Sequence, residues 1–243
     1  HHHLAALLSR KAGRPVRLRL SHEETFNLGN SLIIELKTGV KQDGTLLARH
    51  LRITADSGGY AGILGLDLDI AGLFITLPYQ LSALKFEGLT VYTNNPVRGF
   101  LSGEGMLATN FAAGIQLDRI AEELGIDPVE ICLRNAIQPG YTTINQFQIA
   151  SCGLTESIQK VAENARWKGN RGSLQGQRRG LGIGCGSVCS GAKGFFPHDT
   201  SAAMIKIHED GTVTLFTGAT DMGQGSHTCL AQIAAEELGV HYE

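Results

Sequence analysis

The sequence predicts an α+β chain of two mixed lobes, each a strand hairpin with helices against it, the second lobe incomplete. Three observations predict it. First, two pairs of alternating apolar runs, 32–40 with 46–55 and 202–207 with 212–216, each flank an Asp-Gly turn, Asp43-Gly44 and Asp210-Gly211. Asp-Gly between such runs is a strong short-range hairpin signal. Second, apolar residues recur at helical spacing over 106–124, 154–167 and 226–238. Third, residues 166–180 (RWKGNRGSLQGQRRG) are basic, glycine-rich and nearly without apolar side chains. That shift marks a boundary, giving a first lobe over 1–166 and a second over 178–243.

The elements follow in order. Leu4 to Leu8 is helical in character, and Gly13 with Pro15 stops it. Val16 to Leu20 alternates like a strand with one buried face. After the first hairpin, Asp56-Ser57-Gly58-Gly59-Tyr60 opens an apolar stretch that Pro78 closes, and 85–92 reads as a further strand. The helix over 106–124 carries Ala108, Ala112, Ala113 and Gly114. Small residues allow close packing, so this helix is expected to be buried, with Gly125 as its C-cap. Asp127-Pro128-Val129-Glu130 is a compact helix start, with Asp as N-cap and Pro at the first helical position, for a helix over 129–136. The helix over 154–167 shows its stripe at Ile158, Val161, Ala162 and Ala165. Beyond the boundary, 181–190 reads as a strand with glycines. The second hairpin then leads through a loop into the last helix.

Composition excludes several classes. Hydrophobic residues make up 42% of 243 and charged residues 18%, which suits a packed core and not a disordered chain. The net charge of -2, with no clustered basic face, gives no electrostatic case for nucleic acid. No run approaches the roughly 18 apolar residues of a membrane helix, and no secretory leader is visible, so a cytoplasmic setting is expected. The five cysteines fit no secreted framework, which agrees with a reducing compartment. Cys185 and Cys189 lack a second pair for zinc and read as small buried thiols. His1-His2-His3 reads equally as a tag remnant or as native sequence.

The sharpest local feature is Thr217-Gly218-Ala219-Thr220-Asp221-Met222-Gly223-Gln224-Gly225-Ser226-His227, between a strand and a helix. Free N–H groups at a helix N-terminus favour an anion or polar ring, and the glycines open the backbone to it. Gln224 offers a donor and an acceptor together. The plain alternative is a tight turn. It is not a Walker loop, because no Gly-Lys-Ser/Thr follows. Glu23 and Glu24 are adjacent, so only one of them would face any given pocket, and a capping or solvated role is the simpler reading.

Several stretches together carry a resemblance. They run in order: Ala5-Ala6-Leu7-Leu8, Gly13-Arg14-Pro15-Val16 and Ser21-His22-Glu23-Glu24; Asp43-Gly44-Thr45-Leu46 and Asp56-Ser57-Gly58-Gly59-Tyr60; Val91-Tyr92-Thr93-Asn94. They continue through Gln116-Leu117-Asp118 to Asp127-Pro128, Leu133-Arg134-Asn135, Ser151-Cys152-Gly153-Leu154 and Met222-Gly223-Gln224-Gly225. The whole chain resembles the middle of the large, molybdenum-binding subunit of the xanthine dehydrogenase / aldehyde oxidase family. Its nearest flavour is the bacterial 4-hydroxybenzoyl-CoA reductase branch.

The resemblance implies a molybdopterin cofactor, in bacteria often the cytosine dinucleotide form, clasped between the two lobes. It implies partner chains carrying iron–sulfur clusters and FAD, besides the rest of the large subunit. The parent enzyme would oxidise an aromatic heterocycle or aldehyde or, in the hydroxybenzoyl-CoA branch, reduce an aryl-CoA. Gly223, Gln224 and Gly225 would contact the cofactor, and Glu24 matches a substrate-binding carboxylate. The family's catalytic glutamate falls outside these residues, so no catalytic residue is assigned and the chain alone is expected to be inactive. Both ends read as cut, and exposed apolar surface is expected. One departure stands out. The family's loop reads Phe-Arg-Gly-Phe/Tyr-Gly-x-Pro-Gln, whereas here Ser102 takes the arginine's place and Pro-Gln is absent, with Arg98-Gly99-Phe100 four residues away. Two other readings stay open. One is a cofactor-free remnant that folds and self-associates through uncovered edges; the other is a generic nucleotide-binding module.

Overall fold

The computed structural model describes residues 2–26, 31–60, 64–97, 105–173, 179–187 and 201–242. Its contacts divide the chain into two compact units, His1–Val188 and Cys189–Glu243. The first opens with α1 (His2–Ala12) and the five-residue α2 (His22–Phe26). Between them the expected strand at Val16–Leu20 does not form. Val16, Leu18 and Leu20 are half-buried and Arg17 and Arg19 exposed, but the segment joins no sheet. Alternation reports one sheltered face; it cannot supply a hydrogen-bonding neighbour.

The first hairpin forms as expected. β1 (Ser31–Val40) pairs antiparallel with β2 (Leu46–Asp56), with Leu36 opposite Leu51. α3 (Leu64–Phe74) then crosses over, and β3 (Ala83–Val91) returns parallel to β2, giving the order β1-β2-β3. One sheet face is apolar. Leu51, Ile53 and Ala55 are fully buried there with Leu68, Ala71 and Ile75 from the α3 side, and Leu36 and Phe86 pack against them. The other face carries ions: Glu87 meets His50, Lys85 and Arg52. Arg49 lies on the apolar face. Its guanidinium donates to the Ile75 carbonyl at 3.2 Å, and burial lowers its pKa to about 10, so it stays charged at neutral pH.

α4 (Met106–Leu124) matches its expected span, and Gly125 caps it in the left-handed conformation. It is not buried all round. Met106, Thr109, Ala113, Leu117 and Ala121 face the core, while Leu107 and Phe111 are 72% and 70% exposed. α5 (Pro128–Asn135) starts as read, with the Asp127 carboxylate accepting from the Val129 N–H at 2.8 Å. Glu130 pairs with Arg134 one turn on. The expected helix over 154–167 is two helices, α6 (Leu154–Asn164) and α7 (Trp167–Ser173), broken where Arg166 takes φ 48°. So α7 lies inside the basic, glycine-rich stretch. Trp167 anchors it: the ring is buried and its Nε1–H donates to both Asp127 carboxylate oxygens, at 2.9 and 3.1 Å.

Residues 181–187 do not form the expected strand. They run extended, with Leu181, Ile183 and Cys185 packed on the core of Leu46, Tyr79, Leu117, Ile131 and Cys132. Here too alternation marks a buried face without a ladder. Arg98, Gly99, Phe100, Ser102 and Cys189 lie outside the described residues.

In the second unit β4 (Ala203–Ile207) and β5 (Val213–Thr217) form the expected antiparallel hairpin, and α8 (Ser226–Leu238) follows with its expected bounds. Ala235 is the only buried apolar residue among those described in this unit.

Candidate functional site

The loop from Thr217 to Gly225 is organised by its own side chains. Thr217 Oγ1 accepts from Ala219 N at 3.1 Å, which turns the chain off β5. Asp221 Oδ1 accepts from Gly223 N at 2.7 Å, an Asx turn. Gly223 and Gly225 take φ of 110° and 77°, where a side chain would be strained, and space around both is open. The glycines are therefore required by backbone conformation and leave a face that a ligand can approach. Gln224 is exposed, but its amide is in use: Oε1 accepts from Met222 N at 2.7 Å and Nε2 donates to the Thr220 carbonyl at 2.9 Å.

Gly225 is the N-cap of α8 and brings no side chain of its own, and the Asp221 carboxylate lies against the backbone N–H groups of Gly225 and His227 at the helix start. His227 sits in that turn with Nε2 2.9 Å from the Ala219 carbonyl oxygen. Hydrogen bonding from the Gly223 N–H holds the Asp221 carboxyl below the usual carboxylate range. Beside the loop, a cleft of about 860 Å³ opens between β5 and α8, lined among others by Thr214, Phe216, His227 and Tyr242.

In the first unit Glu24 forms a reciprocal capping box with Ser21. Ser21 N donates to Glu24 Oε2 at 2.7 Å, and Glu24 N donates to Ser21 Oγ at 3.2 Å. Its other carboxylate oxygen has no hydrogen bond among the described residues. The Asp56-Ser57-Gly58-Gly59 turn proves architectural. Asp56 accepts from Gly58 N and from the side chains of Thr93 and Asn95, and the Gly58 carbonyl accepts from Thr93 N at 3.0 Å. This zips the end of β2 to the segment leaving β3, just ahead of the residues around Ser102. Sequence reading missed this role, although the shared Asx and Thr chemistry of 56 and 93 was the available signal.

No group of three metal-ligating side chains occurs among the described residues, and no described helix is long and apolar enough to cross a membrane. The 217–227 loop offers glycine-opened backbone and the remaining capacity of the Gln224 carboxamide beside a helix N-terminus. That chemistry fits an anionic or polar-ring group such as a pterin with phosphate. It does not fit a directly ligated metal.

Comparison with known proteins identifies the family. A family model described as "Molybdopterin cofactor-binding domain" matches residues 1–136, and a second of the same description matches 158–243. The chain belongs to the molybdopterin-binding domains of the xanthine dehydrogenase/aldehyde oxidoreductase family. The xanthine dehydrogenase molybdenum-binding subunit of Escherichia coli O157:H7 is 34% identical over 97% of this chain and 32% of its own length. The aldehyde oxidoreductase of Megalodesulfovibrio gigas is 30% identical over 97% of this chain and 26% of its own length. Among solved structures, quinoline 2-oxidoreductase from Pseudomonas putida 86 superposes with a TM-score of 0.70 at 28% identity, covering 96% of this chain and 32% of that one. The chain thus spans about a third of the length of the relatives it matches. The mixed α+β architecture read from the two hairpins is that of these molybdopterin-binding domains.

Proposed function

We propose that this chain forms molybdopterin-binding lobes of a molybdenum hydroxylase large subunit, whose full enzyme oxidises an aromatic heterocycle or aldehyde. The observation that carries the proposal is the 217–227 loop: two positive-φ glycines around a carboxamide, ahead of a helix whose N-cap is glycine. Gly223, Gln224 and Gly225 bind the cofactor's polar edge in this reading. The Gln224 backbone and the start of α8 orient it, and Asp221, which holds the Gly223 N–H, keeps the loop in shape beforehand. When bound, the cofactor supplies two-electron oxygen-transfer chemistry. Glu24, with one carboxylate oxygen open, faces substrate as a charge or hydrogen-bond acceptor.

The names of the relatives support the oxidative direction; the reductive aryl-CoA branch rests on motif resemblance alone. The same reading takes the cytosine dinucleotide form of the cofactor, iron–sulfur and FAD chains as partners, a cytoplasmic setting, and lobes over 1–166 and 178–243. The test is molybdenum and pterin content of the full-length subunit expressed with its partners. Stoichiometric molybdenum in the parent, and a clear loss in Gln224→Ala and Gly225→Ala with unchanged circular dichroism, is the expected result. Full loading in both variants, or an empty parent under conditions that load a known family member, overturns the proposal.

A further inference from the structure

Away from that loop, two thiols and a phenol meet in the core of the first unit. Tyr79 Oη lies 3.2 Å from Cys132 Sγ, and Cys185 packs into the same cluster. Cys132 is buried on α5, whereas Cys185 is half-exposed on the extended 179–187 segment. Among the described residues, that segment is held by side-chain packing and an Asn110 hydrogen bond to the Ser187 carbonyl, without a strand ladder. The chemistry of the cluster is uneven. Hydrogen bonding from Cys132, against a smaller burial effect and helped by Tyr79, brings the Cys185 thiol down to about 6. The same interaction and burial push Cys132 up, and burial pushes Tyr79 up. Cys185 is thus the more acidic of the two thiols and also the more exposed.

We propose that Cys185 and Cys132 are a peroxide-responsive dithiol site, in which Cys185 is oxidised first and Cys132 resolves it to a disulfide. A reachable thiol packed in one cluster with a buried second thiol is the arrangement such sites use. The oxidant is a hydroperoxide. The Cys185 thiolate attacks the terminal oxygen and the O–O bond breaks; with one proton taken up, the products are a sulfenic acid and water or alcohol. The Cys132 thiol then attacks the Cys185 sulfur, the S–O bond breaks, and the hydroxyl leaves with the Cys132 proton as water. Two electrons pass from the two sulfurs to the peroxide. The product ties α5 to the 179–187 segment. The other described cysteines lack this arrangement: Cys152 Sγ donates to the Ile137 carbonyl, and Cys229 is exposed on α8. The proposal does not depend on cofactor binding.

The test is brief hydrogen peroxide treatment of the reduced 243-residue chain, followed by intact mass and a non-reducing peptide map. The expected result is loss of two hydrogens in mass, a single linked peptide pair containing Cys132 and Cys185, and full reversal by dithiothreitol. Cys132→Ser is expected to stop at a sulfenic acid on Cys185 that dimedone traps. Linkage through Cys152, Cys189 or Cys229, or no disulfide at all, overturns the proposal. The map of the unsubstituted chain decides this even if a variant fails to fold.

Discussion

The Asn135 side-chain carbonyl accepts a hydrogen bond from the Leu46 backbone N–H at 2.8 Å, across 89 residues of sequence. The same carboxamide donates to the Gly44 and Ile131 carbonyls at 2.9 and 2.8 Å. One buried side chain thus fastens the β1–β2 turn to the end of α5. Arg134 reaches the same turn through the Asp43 carbonyl. Within Leu133-Arg134-Asn135, a stretch that resembles family text, these two residues are structural fasteners. Asn135→Ala leaves the Leu46 donor and two carbonyls without their partner, and a buried unsatisfied group costs about 1–3 kcal/mol. The expected loss is about 3 kcal/mol in urea unfolding. Asn135→Asp keeps the acceptor but loses both donors and buries a charge, so it is expected to be no better than alanine.

Gly58 is constrained twice. Its φ is 71°, and a Cβ there would stand 2.3 Å from the Pro96 carbonyl oxygen. Backbone is the obstacle, so no rotamer change relieves it. Gly58→Ala is expected to cost about 3 kcal/mol and to open the 93–97 segment. Urea unfolding and faster amide exchange at Thr93 and Asn95 check it. An alanine variant of unchanged stability would mean that Pro96 does not hold this position in solution.

Asp127 does two jobs, as N-cap of α5 and as acceptor for the Trp167 indole. Asp127→Ala removes both and is expected to cost about 2–3 kcal/mol, more than the roughly 1 kcal/mol of an ordinary cap. Trp167→Phe keeps the ring buried and drops only the donor, for an expected loss of about 1–2 kcal/mol. The double variant is expected to lose less than the sum, because the two share a bond. The chain has one tryptophan, so its fluorescence follows this contact directly in the parent and in Asp127→Ala.

The Asp221 carboxyl titrates below its ordinary range chiefly because the Gly223 N–H is bonded to its charged form. A group depressed in the folded state stabilises it above the unfolded pKa, and that contribution disappears as pH falls through the folded value. The Gly223 amide resonance is therefore expected to hold from neutral pH to about pH 4, the ordinary aspartate value, and to move only below it. Asp221→Asn keeps an acceptor for Gly223 and is expected to abolish that titration. A midpoint at or above the ordinary value would show that the turn is not formed in solution.

Legibility followed the range of the interactions. α4 and α8 kept their expected bounds because their end signals are local: Gly125 and Gly239 close them in the left-handed conformation. Both hairpins formed for the same reason, around Asp43-Gly44 and Asp210-Gly211. Val16–Leu20 and 181–187 misled because periodicity describes one chain, whereas a strand needs a second. The parallel return of β3 onto β2, the break at Arg166 and the Asp127–Trp167 bond depend on distant packing and left no local trace. The glycine–glutamine–glycine loop was legible as a strand-to-helix turn. The inward fold of the Gln224 amide was not, since its partners are backbone groups that every sequence has.

The second stripe of α4 is the clearest surface anomaly. Leu107, Phe111 and Ile115 follow helical spacing but face outward, where Phe111 and Ile115 join Leu32, Ile34 and Leu36 of the edge strand β1 in lining an apolar cleft of about 520 Å³. An apolar helix face beside an unpaired strand edge tends to bind other apolar matter. The 243-residue chain is expected to bind a hydrophobic dye strongly, and Leu107→Glu with Phe111→Glu to remove most of that signal. Both side chains are largely exposed, so stability is expected to change by less than about 1 kcal/mol. Dye binding that survives the double substitution would place the exposed surface elsewhere, with the weakly buried second unit as the next candidate. Dye binding that also vanishes in the full-length subunit would mean that this stripe is an internal seam of the larger molecule.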